Sequence, residues 1–184
     1  LRPAGDLVGK SVFIPGCGPI GALTILASRR AGAAKIIAPD LSDYTLDIAK
    51  KCGADVVLNL ADNSQALASF IESKGQVDVQ FECSGAQAAL ASGIAALRPK
   101  GTLVQLGMGG DMTIPMQAIT AKEITLRGSF RFHSEFTTAV EMMQKGLIDV
   151  TPLITHKFSL DHAVGAFEMA KNRSQAMKVQ IDFS

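Results

Sequence analysis

The chain has no tryptophan and a single tyrosine, Tyr44, and aromatic residues make up 5% of its 184 positions. Flat rings for stacking on bases are therefore scarce. A formal net charge of +1 offers no basic surface in their place, so no nucleic-acid partner is expected. The same balance speaks against an anionic membrane surface, and no apolar run approaches the ~20 residues that cross a bilayer. No charged, apolar and small-residue succession opens the chain, so no secretory signal is read. Cysteine is sparse. Cys17, Cys52 and Cys83 stand far apart with no C-x-x-C spacing, which excludes a zinc knuckle or disulfide framework and points to reduced thiols in a cytoplasmic protein. His133, His156 and His162 lack metal-ligand spacing and read as structural or surface residues. No metal ligand and no catalytic residue is assigned within the chain, and Ser84 lacks the setting of a hydrolase nucleophile.

Glycine and small apolar residues are plentiful: 17 glycines and 47% hydrophobic residues, a globular composition. Strand and helix patterns alternate, which predicts an α/β fold, a doubly wound Rossmann sheet of six parallel strands with helices on both faces. The strands are read at 11–14, 35–40, 55–59, 77–82, 101–107 and 123–130, and the helices at 19–30, 45–52, 65–73, 87–97, 115–121 and 135–145. The tail from 151 breaks the rhythm with a strand at 152–158, a helix at 160–170 and a strand at 177–183. These come too late for the six-stranded sheet and suit a second domain.

The sequence Gly16-Cys17-Gly18-Pro19-Ile20-Gly21 joins the first strand to the first helix, and Asp40 ends the second strand. Strand, glycine turn, helix, strand and acid in that register form the dinucleotide-binding fingerprint. Gly16 permits the tight turn, Gly18 lets the backbone approach a pyrophosphate, and Gly21 lets helix and strand pack closely. Pro19 suits the first helical position, and the helix N-terminus attracts an anion. The Asp40 carboxylate accepts hydrogen bonds from ribose hydroxyls and repels a 2′-phosphate, which favours NAD over NADP. A methyltransferase-type nucleotide fold and a turn kept only for packing are the alternatives.

Ligands of open α/β sheets bind beyond the carboxyl ends of the strands. The fourth strand ends in Glu82-Cys83-Ser84-Gly85, the fifth in Gly107-Met108-Gly109-Gly110 and the sixth in Phe130-Arg131-Phe132. Cys83 and Ser84 form a small polar turn beside the cofactor. Glu82 is read as held by backbone N–H groups rather than acting as an acid or base. Arg131, between two aromatics, suits a phosphate or a substrate carboxylate.

Together with the tail Pro152-Leu153-Ile154-Thr155-His156-Lys157-Phe158, the segments Val104-Gln105-Leu106-Gly107-Met108-Gly109-Gly110 and Gly128-Ser129-Phe130-Arg131-Phe132 give the chain its closest family likeness. It resembles the zinc-dependent medium-chain alcohol and polyol dehydrogenases over nearly its whole length, with the sorbitol and L-idonate 5-dehydrogenase branches nearest in pattern. The resemblance implies that Pro19, Ile20, Leu106, Gly107, Met108, Ser129, Phe130 and Arg131 contact the pyrophosphate and nicotinamide half, and that Asp40 holds the adenosine ribose. Arg131 and Phe132 would face a sugar-acid or polyol substrate, where sorbitol dehydrogenases carry Arg-Tyr. A basic residue often follows the ribose acid by five positions; here it is Thr45. The resemblance also implies a zinc held by a catalytic domain N-terminal to Leu1, with none of its ligands in this chain. Residues 1–150 would be the NAD-binding domain and 151–184 a segment of a GroES-like catalytic domain, left mobile or atypically packed without it. A homo-oligomer joined through the edge strand 124–130 is implied as well. Other readings are a sorbitol, xylitol or threonine dehydrogenase of the same superfamily, and a non-catalytic nucleotide-binding module.

Overall fold

Side chains alternate along the buried strands, and that alternation builds two covered faces. A computed structural model describes residues 1–183; residue 184 lies outside it. From β1 (Ser11–Phe13), β2 (Lys35–Asp40) and β4 (Val77–Glu82), one set of residues comprises Val12, Ile36, Ala38 and Phe81. These join Ala22 and Ile25 of α1 (Pro19–Arg30) and Leu46 and Ala49 of α2 (Asp43–Lys51). The intervening residues Phe13 and Ile37 instead meet Leu67, Phe70 of α3 (Ala68–Ile71) and Ala96 of α4 (Gln87–Ala96), joined by Val77, which the irregular register between Val77 and Val79 sets apart from Val79 and Phe81. Leu103 of β5 (Leu97–Gln105) packs with Leu90, Ile94 and Ile119, the last from α5 (Met116–Ala121). Strands buried on both faces read as continuous apolar runs, as β1 and β2 do.

With β3 (Val56–Asn59) and β6 (Thr125–Gly128), all pairings in the sheet are parallel and the order is β3-β2-β1-β4-β5-β6. The doubly wound expectation is met. The chain reverses direction of strand addition between β1 and β4, so a crevice opens at their carboxyl ends.

The limits of α1, β2 and β4 agree with the sequence pattern to the residue. Others differ for local reasons. The helix expected over 65–73 shrinks to α3, because Ser73 and Lys74 take positive φ (54° and 69°) ahead of Gly75. β5 starts four residues early, carrying Pro99 and a positive-φ Lys100 through an irregular register with β4. β6 is shorter than expected, since Glu123 also has positive φ. All four residues of β6 are exposed at the sheet edge. α6 (Ser134–Gln144) buries no residue.

The tail forms a small β-α-β unit. A 3₁₀ turn at Thr151–Leu153 leads into β7 (Ile154–Ser159), and α7 (Ala163–Lys171) returns the chain to β8 (Lys178–Asp182), parallel to β7. Leu153 and Met177 are buried in the same core as α1 and α2, and the Met177 N–H donates to Thr155 Oγ1 at 3.0 Å. These two residues anchor the tail on that core, and their burial contributes on the order of 2 kcal/mol each.

Candidate functional site

The glycine loop is fixed from three sides. The Gly16 N–H donates to Pro39 O at 3.0 Å, the Cys17 N–H to Asp40 Oδ2 at 2.6 Å, and the Cys83 N–H to Pro15 O at 3.1 Å. Gly16 has φ +88°, and a Cβ there would stand 2.7 Å from Ser84. A Cβ on Gly21 would stand 1.9 Å from Gly16 O. Both glycines are therefore required by contact within the fold. Gly18 differs: its φ is −62° and a Cβ would meet nothing within 4 Å. That bare backbone opens on a groove at the start of α1, whose helix end favours negative charge.

The groove has a volume of about 660 Å³ and brings together Gly16, Gly18, Pro19, Ile20, Asp40, Cys83 and Ser84. A second, mostly apolar hollow of about 440 Å³ shares Gly16, Asp40, Leu41 and Ser84 with it and is walled by Pro15, Leu60, Leu67 and Ala89. The groove, with the bare Gly18 backbone and the Asp40 carboxylate, and the more apolar hollow meeting it at Asp40 fit a ligand with phosphates at one end and a flat apolar base at the other. Asp40 Oδ1 accepts the N–H groups of Leu41 (2.7 Å) and Ser42 (3.1 Å), beside the Cys17 bond on Oδ2. A carboxylate accepts about four hydrogen bonds, so Asp40 both braces the loop and keeps capacity for a ribose hydroxyl.

Glu82 is fully buried and its oxygens accept from the Ser84 N–H (2.8 Å), the Ser84 hydroxyl, the Gly85 N–H (3.0 Å) and Gln105 Nε2 (2.6 Å). It holds the turn after β4 in shape, as the sequence reading has it. The Leu106 and Gly107 N–H groups donate to Glu82 O, and a Cβ on Gly107 would stand 2.2 Å from Gly85 N. The loop after β5 is thus clasped to the turn that lines the groove.

The remaining expected residues do not enter that groove. Leu106 packs at the margin of the main core, and Gly107 lines a separate cavity of about 360 Å³ with Leu103, Ile119 and Arg127. Met108 is 75% exposed. The Ser129 N–H extends the β5–β6 pairing to Gln105 O. The Arg131 guanidinium lies 4.2 Å from the Phe130 ring centroid, and Phe132 stacks on Phe136, with Phe130 and Phe132 both exposed. These residues continue along the carboxyl edge of the sheet in the order β4, β5, β6.

Two parts of the groove go beyond the residues assigned to the cofactor from the sequence, where only Thr45 is noted, as the position that often holds a basic residue. Leu41, Ser42 and Thr45 line it from the start of α2, and Ala170, Arg173, Ala176 and Met177 line it from the tail. Nothing in the polar turn at 172–176 signals this. The thiols at the site are inert: burial pushes Cys83 up to about 12, against a Thr24 hydrogen bond that pulls it down, and burial raises Cys17 further, with Asp40 adding to it.

Residues 19–145 match the zinc-binding dehydrogenase family, to which this chain belongs. It is 41% identical over 98% of its length to L-idonate 5-dehydrogenase (NAD(P)(+)) of Escherichia coli and 36% identical over 98% to sorbitol dehydrogenase of Bos taurus. It covers 52% and 51% of those proteins, so the chain spans about half their length. The crystal structure of the Escherichia coli L-idonate 5-dehydrogenase superposes with a TM-score of 0.93 at 41% identity, over 99% of this chain and 52% of that one. A short chain alcohol dehydrogenase from Escherichia coli complexed with NADH superposes at 0.85 with 25% identity, over 98% of this chain and 54% of that one. The family implies zinc, and the residues present do not fit one. Among the described residues no three His, Cys, Asp or Glu side chains are grouped to hold a metal ion. Also among them, no helix is long and apolar enough to cross a membrane.

Proposed function

We propose that this chain is the cofactor-binding portion of an NAD(P)-dependent dehydrogenase that oxidises a secondary alcohol of a sugar acid or polyol. The observation that carries the reading is one groove joining the open backbone of Gly18, the start of α1 and the Asp40 carboxylate. Gly18 and Pro19 would receive the pyrophosphate, Asp40 a ribose and the Leu60–Leu67 hollow the adenine ring. Leu106, Met108, Ser129, Phe130 and Arg131 would border the nicotinamide along the sheet edge, with Arg131 and Phe132 towards the substrate. The chemistry supplied by the bound cofactor is acceptance of a hydride from the alcohol carbon. No step through a metal is derived for these residues, and the chain alone is proposed to bind cofactor without turning over an alcohol.

Residues 1–150 would form the cofactor domain and 151–184 a segment serving a catalytic domain, a role suited by the exposed Val164, Phe167 and Phe183. The sugar-acid and polyol substrate class rests on the names of the two relatives above. The exposed β6 edge is proposed to pair with a second copy in a cytoplasmic homo-oligomer; a monomeric mass by light scattering contradicts this.

Titration of the chain with NADH, followed by nicotinamide fluorescence, tests the reading. Saturable binding below the millimolar range is expected, and its absence from a folded chain sinks it. Asp40→Asn should weaken NADH by about tenfold, the equivalent of one good hydrogen bond to a charged group, and NADPH by less. Equal losses remove the argument for NAD preference.

A further inference from the structure

One wall of the groove comes from the turn between α7 and β8, and it carries a charge. Two lining residues are ionic, Asp40 and Arg173. With Asp40 alone the groove would present a net negative wall to an anionic ligand. Arg173 balances it, leaving the positive end of α1 to act unopposed. A guanidinium also offers the planar donor fork that suits phosphate oxygens.

The backbone beneath Arg173 is held. The Ala176 and Gln175 N–H groups donate to Asn172 O, and the Ser174 hydroxyl to Asn172 Oδ1 at 2.7 Å. Met177, four residues on, is sunk in the main core. The Arg173 side chain itself is uncommitted: among the described residues it has no ion pair and no hydrogen-bond partner. A cation on a braced turn, lining a groove and spent on no partner among the described residues, is free to serve a ligand.

We propose that Arg173 is a phosphate contact of the cofactor, its guanidinium closing the groove over either the pyrophosphate or the 2′-phosphate of NADP. This rests on the dinucleotide reading given above and adds to it a residue from outside the glycine fingerprint. The negative charge of Asp40 disfavours a 2′-phosphate, and Arg173, with the hydroxyls of Ser42 and Thr45 in the same groove, offsets that bias.

The test is the Kd of NADH and of NADPH for the wild-type chain, Arg173→Gln and Arg173→Lys, read from nicotinamide fluorescence, which no tryptophan obscures. Arg173→Gln should weaken binding about tenfold, as expected for one charge-assisted hydrogen bond near solvent. It should also flatten the salt dependence. Arg173→Lys should recover part of the affinity. Equal loss for both cofactors assigns the pyrophosphate, and loss confined to NADPH assigns the 2′-phosphate; each supports the proposal. Unchanged Kd values for both, or a loss confined to NADH, overturn it. Failure of the wild-type chain to bind either cofactor overturns the dinucleotide reading instead. Circular dichroism of each variant checks the fold, which an exposed and unpaired side chain should leave intact.

Discussion

Gly18 and Gly21 are both fingerprint glycines, yet their replacement by alanine should have opposite consequences. At Gly18 the backbone is ordinary, φ −62° and ψ −171°, and a methyl meets no atom of the chain. Restricting the unfolded state stabilises by about 0.4–1 kcal/mol. Alanine is a poorer N-cap than glycine by a comparable amount, about 0.5–1 kcal/mol. The two effects cancel to within about 0.5 kcal/mol, so Gly18→Ala should melt within roughly 2 °C of wild type. The added methyl stands where the backbone opens on the groove, so NADH affinity should fall about tenfold or more, at 1.4 kcal/mol per decade. At Gly21 the methyl would stand 1.9 Å from Gly16 O and 2.9 Å from Gly16 C. Both are backbone atoms tied into β2, so α1 must shift off the sheet. Overpacking of this kind costs about 1–3 kcal/mol, a fall of roughly 2–12 °C in melting temperature for a chain of this size. Calorimetry of both variants beside NADH titration separates the cases. Equal destabilisation of the two, or a Gly18→Ala chain that binds NADH as tightly as wild type, would refute the assignment of Gly18 to the ligand and Gly21 to the fold.

Glu82→Gln should destabilise without any proton-transfer signature, since an amide turns N–H groups towards donors that Glu82 now satisfies. About 2 kcal/mol is expected, or roughly 4–8 °C in melting temperature, and an unchanged melt contradicts it. Burial opposes ionisation of Asp78 and Asp55, but Ser11 and Arg98 at the first, and Arg29 and the Ile36 N–H at the second, hold both carboxyls below the usual carboxylate range. A depressed folded value stabilises the fold above the unfolded pKa and is lost as pH falls through the folded one. Melting temperature should therefore drop below about pH 4; a melting temperature that stays level at pH 3 refutes this. Burial places Cys83 near 12 and Cys52 near 11, so at pH 8 the Cys83 thiolate fraction is about 10⁻⁴. A disulfide reagent should label no thiol quickly in the native chain and all three after denaturation; rapid native labelling of any one contradicts the burial argument.

The parts of the molecule legible in the sequence are those decided by near neighbours. α1 is bounded by Gly18 and Pro19 at one end and Arg29-Arg30 at the other, and β2 by the apolar run from Ile36 to Pro39 that ends on Asp40. The glycine loop and its acid are read from spacing alone, because tight turn, helix start and strand end all lie within one βαβ unit. Elements set by partners further away are less legible. β5 begins at Leu97 because β4 pairs with it ahead of Pro99, which a local pattern of Pro and Gly reads as a break. The threefold use of Asp40 by Cys17, Leu41 and Ser42 is equally invisible, since it depends on where the loop folds back. Arg173 lies more than a hundred residues from the fingerprint, in a turn with no periodicity, and only the burial of Met177 brings it to the groove.

That last connection bears on how the two parts of the chain cooperate. A division near residue 150 follows the proposed roles, but packing crosses it. Leu153 and Met177 complete the core that α1 and α2 form over the sheet, and Met177 also lines the groove. The position of Arg173 is therefore set by the same residue that seals the core beneath the cofactor loop. β7 and β8 carry this linkage outward, through the Met177 N–H on Thr155 Oγ1 and the parallel ladder from Ile154 to Ser159. On the outer side of that unit Val164 and Phe167 stand 79% and 66% exposed. The last residues of α7 run directly into the turn that holds Arg173. The exposed face of α7 and the proposed phosphate contact are thus neighbours along the chain, separated only by the turn that begins at Asn172.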